Sequence, residues 1–146
     1  SYPRGRPMPL GRGAISRAIV AHLPPRERRR LVEEYLSEFA GAGVGDTVED
    51  VLDVLRDVRR GGVATAHGEV TPGVVGVAAP ILAGEQTPHG ALCLTSDESS
   101  IRGDRLASIR AAVRDAAGRI SRRLAGTPDG PARPCDSDPS GKGAIP

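Results

Sequence analysis

HGEVTPGVVGVAAPI, residues 67–81, is the stretch on which the fold turns. It opens with a histidine and an acid, passes through Pro72 and Gly73, and closes in a run of small apolar residues from Val74 to Ile81. A short apolar run bounded by glycine and proline reads as a buried strand. Two similar runs flank it. GVATAHGEV, residues 62–70, precedes it, and GALCLTS, residues 90–96, follows it. AGEQTPHG, residues 83–90, lies between the second and third runs and reads as a hairpin-like loop. Three strands joined by short connections pair antiparallel.

Outward from the strands the hydrophobic period changes to that of helices. Residues 1–12 are rich in Pro, Gly and Arg and are expected to be extended. Ile15, Ala18, Ile19 and Leu23 then form a helical stripe that Pro24 and Pro25 end. RERRRLVEEYLSEF, residues 26–39, reads as one helix with Leu31, Val32, Tyr35, Leu36 and Phe39 inward. Thr47 is placed to cap a third helix, with Glu49 and Asp50 in its first turn and Val51, Leu52, Leu55 and Val58 on its buried side. Residues 104–124 form a long last helix with a stripe at Leu106, Ile109, Val113, Ala116, Ile120 and Leu124. Residues 126–146 carry too few apolar groups to offset ordering entropy and read as a disordered tail. The expected class is α+β, an antiparallel sheet flanked by helices, with one domain over 13–125.

Composition excludes more than it selects. The chain has 146 residues, a net charge of +2 and only 2% aromatics, so its core is built from Leu, Val, Ile and Ala. Cys93 lies in an apolar run and Cys135 in the polar tail, which argues against a disulfide and for a reducing, cytoplasmic setting. No stretch has the length and apolarity of a membrane span. His22, His67 and His89 are scattered, without Cys or Asp at ligand spacing, so no metal or cofactor is expected. His67 and Glu69, two apart, would share one face of a strand, as a polar edge or as an acid/base pair. His22, at a helix end, suits a C-terminal cation. No serine sits in a nucleophile elbow. Cys93 reads equally as a small core residue or as a group facing a cavity. The arginines alternate with apolar residues at helical spacing, which marks solvated faces, and no DNA-binding signature accompanies them.

Three segments together resemble the C-terminal effector-binding domain of IclR-type bacterial transcription regulators. They are PMPLGRGAISRAIVAHLPP, VLDVLRDVRRGGVATAHGEVTPGVVGVAAPI, and the stretch from GALCLTSDES to RISRRL. The resemblance runs from about Met8 to Leu124 in the family's order. Gly62, Glu69, Val77, Ala78 and Ile81 fit its signature; Ala66 stands where an acid or serine is usual, Gly76 where Ser, Cys or Ala is usual, and Gly11 in a usual histidine place. The resemblance implies a GAF- or profilin-like domain, here incomplete because the first strands and the winged helix-turn-helix of the family are not matched. It implies an effector site at Leu10, Ala14, Ile15, Ala66, His67, Val74, Gly76, Cys93 and Thr95. With Ala66 and Gly76 there, it implies an apolar or aromatic small-molecule effector rather than a small carboxylate.

No catalytic residue follows from this reading. It makes the chain a sensor that reaches operator DNA only through a separate domain and assembles as a homo-oligomer through its open sheet edge. The alternatives are a dimerisation or interaction fragment without ligand, and an enzyme using Cys93 with His67. Filling the cavity by Gly76→Phe is expected to block ligand while leaving the ligand-free melting temperature nearly unchanged.

Overall fold

The computed structural model describes residues 4–84 and 87–126; the expected disordered tail and Cys135 lie outside the described residues. Four helices come first: α1 (Ala14–Ala21), α2 (Pro25–Glu34), α3 (Leu36–Gly41) and α4 (Val48–Gly61). Three strands follow, β1 (Ala64–His67), β2 (Val74–Ala83) and β3 (Thr87–Asp97), then a 3-10 turn at Glu98–Ser100 and α5 (Asp104–Ala125). The sheet is antiparallel in the order β1-β2-β3. Helix α1 packs on one face and α5 on the other, which is the α+β arrangement expected from the strand signals.

The two faces are filled differently. Val75, Val77 and Ala79 of β2 alternate toward α5, where Val63, Val77, Ala79, Val113 and Ala117 form a buried cluster. The facing cluster under α1 is made entirely of alanines: Ala14, Ala18, Ala64, Ala66 and Ala78. A third cluster lies among the helices, with Val20, Val32, Phe39, Val51 and Leu55 fully buried.

Four local expectations change. The stretch read as one helix over residues 26–39 breaks at Tyr35, whose φ of −111° and ψ of 24° leave the helical region. The apolar spacing is continuous, but the bend carries Phe39 into the helical cluster beside Val32, and packing overrides propensity. The first strand ends at His67, because Gly68 adopts φ +63° and its N–H donates to the Val74 carbonyl across a turn. The third strand begins earlier than expected, at Thr87, so residues 87–90 of the stretch read as a loop over 83–90 belong to β3, and Gly84 lies in a turn. In α1 the buried positions are Ala14, Arg17, Ala18, Val20 and Ala21, while Ile15 is 44% exposed. That helix serves two interfaces, so small residues pack on the sheet, Val20 packs among the helices, and the Ile15 side faces out.

Gly11 explains the missing histidine. A Cβ there would lie 2.4 Å from the Phe39 backbone nitrogen, so the chain entering α1 passes too close to α3 for any side chain. At the other end of the sheet, pairing of β2 with β3 shifts register between Ile81 and Leu82. The Leu82 N–H there donates to Ser121 Oγ at 2.9 Å, and the Ser121 hydroxyl donates to the Ala117 carbonyl at 2.8 Å. Ser121→Ala strands the Leu82 donor, and a loss of about 1–2 kcal/mol is expected in urea unfolding.

His22 is not the helix-end cation the sequence suggested. Burial lowers its pKa from 6.5, and Arg59 and Arg28 push in the same direction against a hydrogen bond from Nδ1 to the Ala18 carbonyl, 2.8 Å away. The folded chain therefore binds this proton less readily than the unfolded chain. Its contribution is complete above the unfolded value of 6.5 and is lost as pH falls below it. Unfolding midpoints should drop on mild acidification, and His22→Gln should flatten that drop.

Candidate functional site

Antiparallel pairing places partners on the same face of the sheet. The register aligns Ala66 with Gly76 and Gly76 with Thr95 as one cross-strand row. Ala64, Ala78 and Cys93 form the next row. Both rows face α1, and Ala14 stands over the first: a Cβ built on Gly76 would meet Ala14 Cβ at 3.7 Å, Cys93 Sγ at 4.0 Å and Thr95 Cγ2 at 4.0 Å. Val74 lies on the same face, two residues along β2 and partly buried. The structure thus brings together Ala14, Ala66, Val74, Gly76, Cys93 and Thr95 from three strands and a helix.

Three other sequence candidates lie elsewhere. His67 pairs with Val75 and so lies on the α5 side, where Nδ1 is 2.9 Å from Glu98 Oε1. Leu10 packs against the helical cluster, and its carbonyl accepts a hydrogen bond from Ser16 Oγ. Ile15, the residue after Ala14, turns away to solvent. The His67–Glu69 pair does not form on a common strand face, because the strand stops at His67 and Glu69 leaves it on the turn.

Glu69 instead reaches α1. Its Oε2 accepts from the Gly13 N–H at 2.8 Å, at the start of α1, and its Oε1 accepts from the Arg17 guanidinium. Arg17 also donates to the Thr65 carbonyl at 3.0 Å and is 7% exposed, the one buried charged residue among those described. A carboxylate at a helix N-terminus is favoured by the aligned peptide dipoles. This clamp fixes α1 above the Gly76 row. It was missed in the sequence, where the signal was a lone arginine between Ala14, Ala18 and Ala21 on a helix that needed a buried face.

Burial pushes the Cys93 thiol pKa up, away from the thiolate a nucleophile needs, and His67 faces the opposite side of the sheet. Among the described residues no three His, Cys, Asp or Glu side chains are grouped to hold a metal ion. No helix among them is long and apolar enough to cross a membrane.

Comparison with known proteins accounts for the pattern. The family model described as "Bacterial transcriptional regulator IclR C-terminal" matches residues 2–122. The HTH-type transcriptional regulator KipR of Bacillus subtilis is 28% identical over 124 residues, covering 82% of this chain and 48% of KipR. An IclR transcriptional regulator from Alicyclobacillus acidocaldarius superposes with a TM-score of 0.72 at 25% identity, covering 86% of this chain and 50% of that one. The C-terminal domain of Escherichia coli KdgR gives a TM-score of 0.67 at 23% identity, covering 83% of this chain and 74% of that domain. The chain thus spans about half the length of the curated relative and of the full-length regulators it matches. These relatives are transcriptional regulators and not enzymes. The match over residues 2–122, with the α+β fold and the helix-covered sheet, places this chain in the IclR C-terminal family of bacterial transcriptional regulators.

Proposed function

We propose that this domain binds a small, largely apolar or aromatic effector between α1 and the sheet, against Ala14, Ala66, Val74, Gly76, Cys93 and Thr95. The observation that carries the reading is Gly76. A glycine inside a strand weakens it and commonly marks a close approach. Yet Gly76 does not have positive φ, and an added Cβ would make only ordinary contacts with Ala14 at 3.7 Å. Neither the backbone nor the contacts of an added Cβ require glycine at 76; the space there takes a methyl, and a ring-sized effector enters as α1 moves away from the sheet. The face offers few polar groups, the Thr95 hydroxyl and the Cys93 thiol among them, which favours an apolar body with one hydrogen-bonding end.

In this reading the bound state of the domain controls DNA binding by a winged helix-turn-helix elsewhere in the regulator. The HTH named for KipR, and the half of that protein which this chain does not span, support that division. The outer edge of β3 has no partner strand among the described residues, which favours pairing with further strands or a second subunit.

The test is a thermal-shift screen of small aromatic and aliphatic compounds on the intact chain, with each hit mapped by backbone amide NMR. Shifts centred on Ala14, Gly76, Cys93 and Thr95 are expected. Hits that perturb only residues outside this face, or a broad screen with no hit, would count against the effector reading.

A further inference from the structure

A concave site lies at the end of the sheet away from Gly76. Strand β1 stops pairing with β2 at Ala78, so β2 beyond that point has a bare side. Pro80 sits on it and has no N–H to leave unpaired. Between this part of β2, Gly62 and the C-terminal half of α5 is a cavity of about 430 Å³. Pro80 and Leu82 give it apolar walls, Gly62 and Gly118 open space in it, and Arg114 and Arg122 bring two positive charges. The volume falls within the range of small-molecule sites.

The arginines are placed and little used. They stand eight residues apart on α5, about 12 Å along the axis, with Gly118 between them. Arg122 folds back over that gap: a Cβ on Gly118 would meet Arg122 Nη1 at 3.4 Å. The Arg114 stem lies along Gly62, whose added Cβ would meet its Cδ at 3.3 Å. Among the described residues the one acid within 4.0 Å of either guanidinium is Asp115, 4.0 Å from Arg114 Nε, and Arg122 has no carboxylate partner. His22 lines the same cavity with its Nδ1 already committed to the Ala18 carbonyl.

We propose that this cavity is a second ligand site, separate from the Gly76 face, that takes a small organic monoanion: an aliphatic or aromatic carboxylate. Arg114 and Arg122 hold the carboxylate, a group that guanidinium matches in a two-point geometry. Pro80 and Leu82 cover the apolar part. Charge alone does not define the ligand, because the walls reward apolar surface. Apolar surface alone does not either, because Arg122 has no carboxylate partner among the described residues.

The experiment titrates the intact chain with benzoate, following backbone amides by NMR, with inorganic phosphate as the charge-only arm and benzamide as the uncharged arm. Benzoate is expected to bind more tightly than either by about tenfold, with shifts at Gly118 and Leu82. Arg122→Gln, an exposed change that leaves folding intact, should weaken benzoate by about tenfold, the size expected for one charge-assisted pair. Gly118→Leu, which fills the gap with a better helix former, should abolish it. No saturable benzoate binding, or phosphate binding as well as benzoate, would overturn the proposal. So would benzoate binding that survives both substitutions and is lost in Gly76→Phe, and that result would place the anion on the α1 face of the sheet instead.

Discussion

Glu69→Ala is expected to be the most damaging single substitution outside the apolar core, lowering stability by about 3–5 kcal/mol. The Arg17 and Glu69 side chains are 8% and 13% exposed, so the pair is out of water. Removing the acid leaves Arg17 buried with only the Thr65 carbonyl, and takes away the acceptor of the Gly13 N–H. That loss is large beside the total stability of a small domain, about 5–15 kcal/mol. The value belongs to breaking the pair and not to the pair itself. Replacing both residues together, with Arg17→Met and Glu69→Leu, should recover most of the loss, because two apolar groups leave no uncompensated charge. Urea unfolding of the three variants measures this directly. A Glu69→Ala variant within about 1 kcal/mol of the parent would show a pair behaving as a solvent-exposed one.

The clamp matters for function because of where it sits. It ties the first turn of α1 to the turn after β1, and Ala14 of that first turn stands over Gly76. If the Gly76 face is the effector site, Glu69→Ala should weaken effector binding even in a background stabilised elsewhere, since the wall above the ligand is no longer held.

Much of the architecture could be read from residue order. The glycine and proline punctuation around Val74–Ile81 marked the central strand, and Thr47, capping α4 with Asp50 in a reciprocal box, was legible as a helix start. What escaped depends on three-dimensional neighbours. The break at Tyr35 is invisible in an unbroken apolar period, because it is imposed by where Phe39 must go. The facing of α1 was misjudged because Ile15 and Ile19 outweigh alanine on any hydropathy count, whereas the sheet beneath admits only small side chains. Within the candidate site, the family resemblance pointed to Gly76, Cys93 and Thr95 together and the alternation of Cys93 and Thr95 agreed with one strand face; the register that aligns Gly76 with Thr95 belongs to the folded sheet. His67 is one residue from Ala66, and one residue on a strand is the opposite face, so the register sets it apart from that group. The Arg17–Glu69 contact spans 52 residues of sequence and has no local signature.

Gly76 separates a ligand site from ordinary core, and its two substitutions should diverge. Gly76→Ala adds a methyl at contacts of 3.7–4.0 Å and removes the flexibility of a mid-strand glycine, so the ligand-free chain should gain about 0.5–1 kcal/mol. Gly76→Phe is different. Ala14, Cys93 and Thr95 already stand within 4.0 Å of the first added carbon, and a ring beyond it must displace α1 or turn out of the face. The sequence-based expectation of an unchanged melting temperature therefore gives way to a loss of about 1–3 kcal/mol, the usual result of overpacking. The same ring occupies the space proposed for the effector. Ligand at a hundred times its dissociation constant would stabilise the parent by about 2.7 kcal/mol, and the Phe variant should gain none of it. Measured together in one thermal series, parent and variant should thus differ by about 4–6 kcal/mol when ligand is present and by about 1–3 kcal/mol when it is absent. A Phe variant that keeps the full ligand shift would move the effector off this face. An Ala variant that loses stability would mean that α1 needs the bare backbone at 76, and the spare room on which the effector reading rests would be gone.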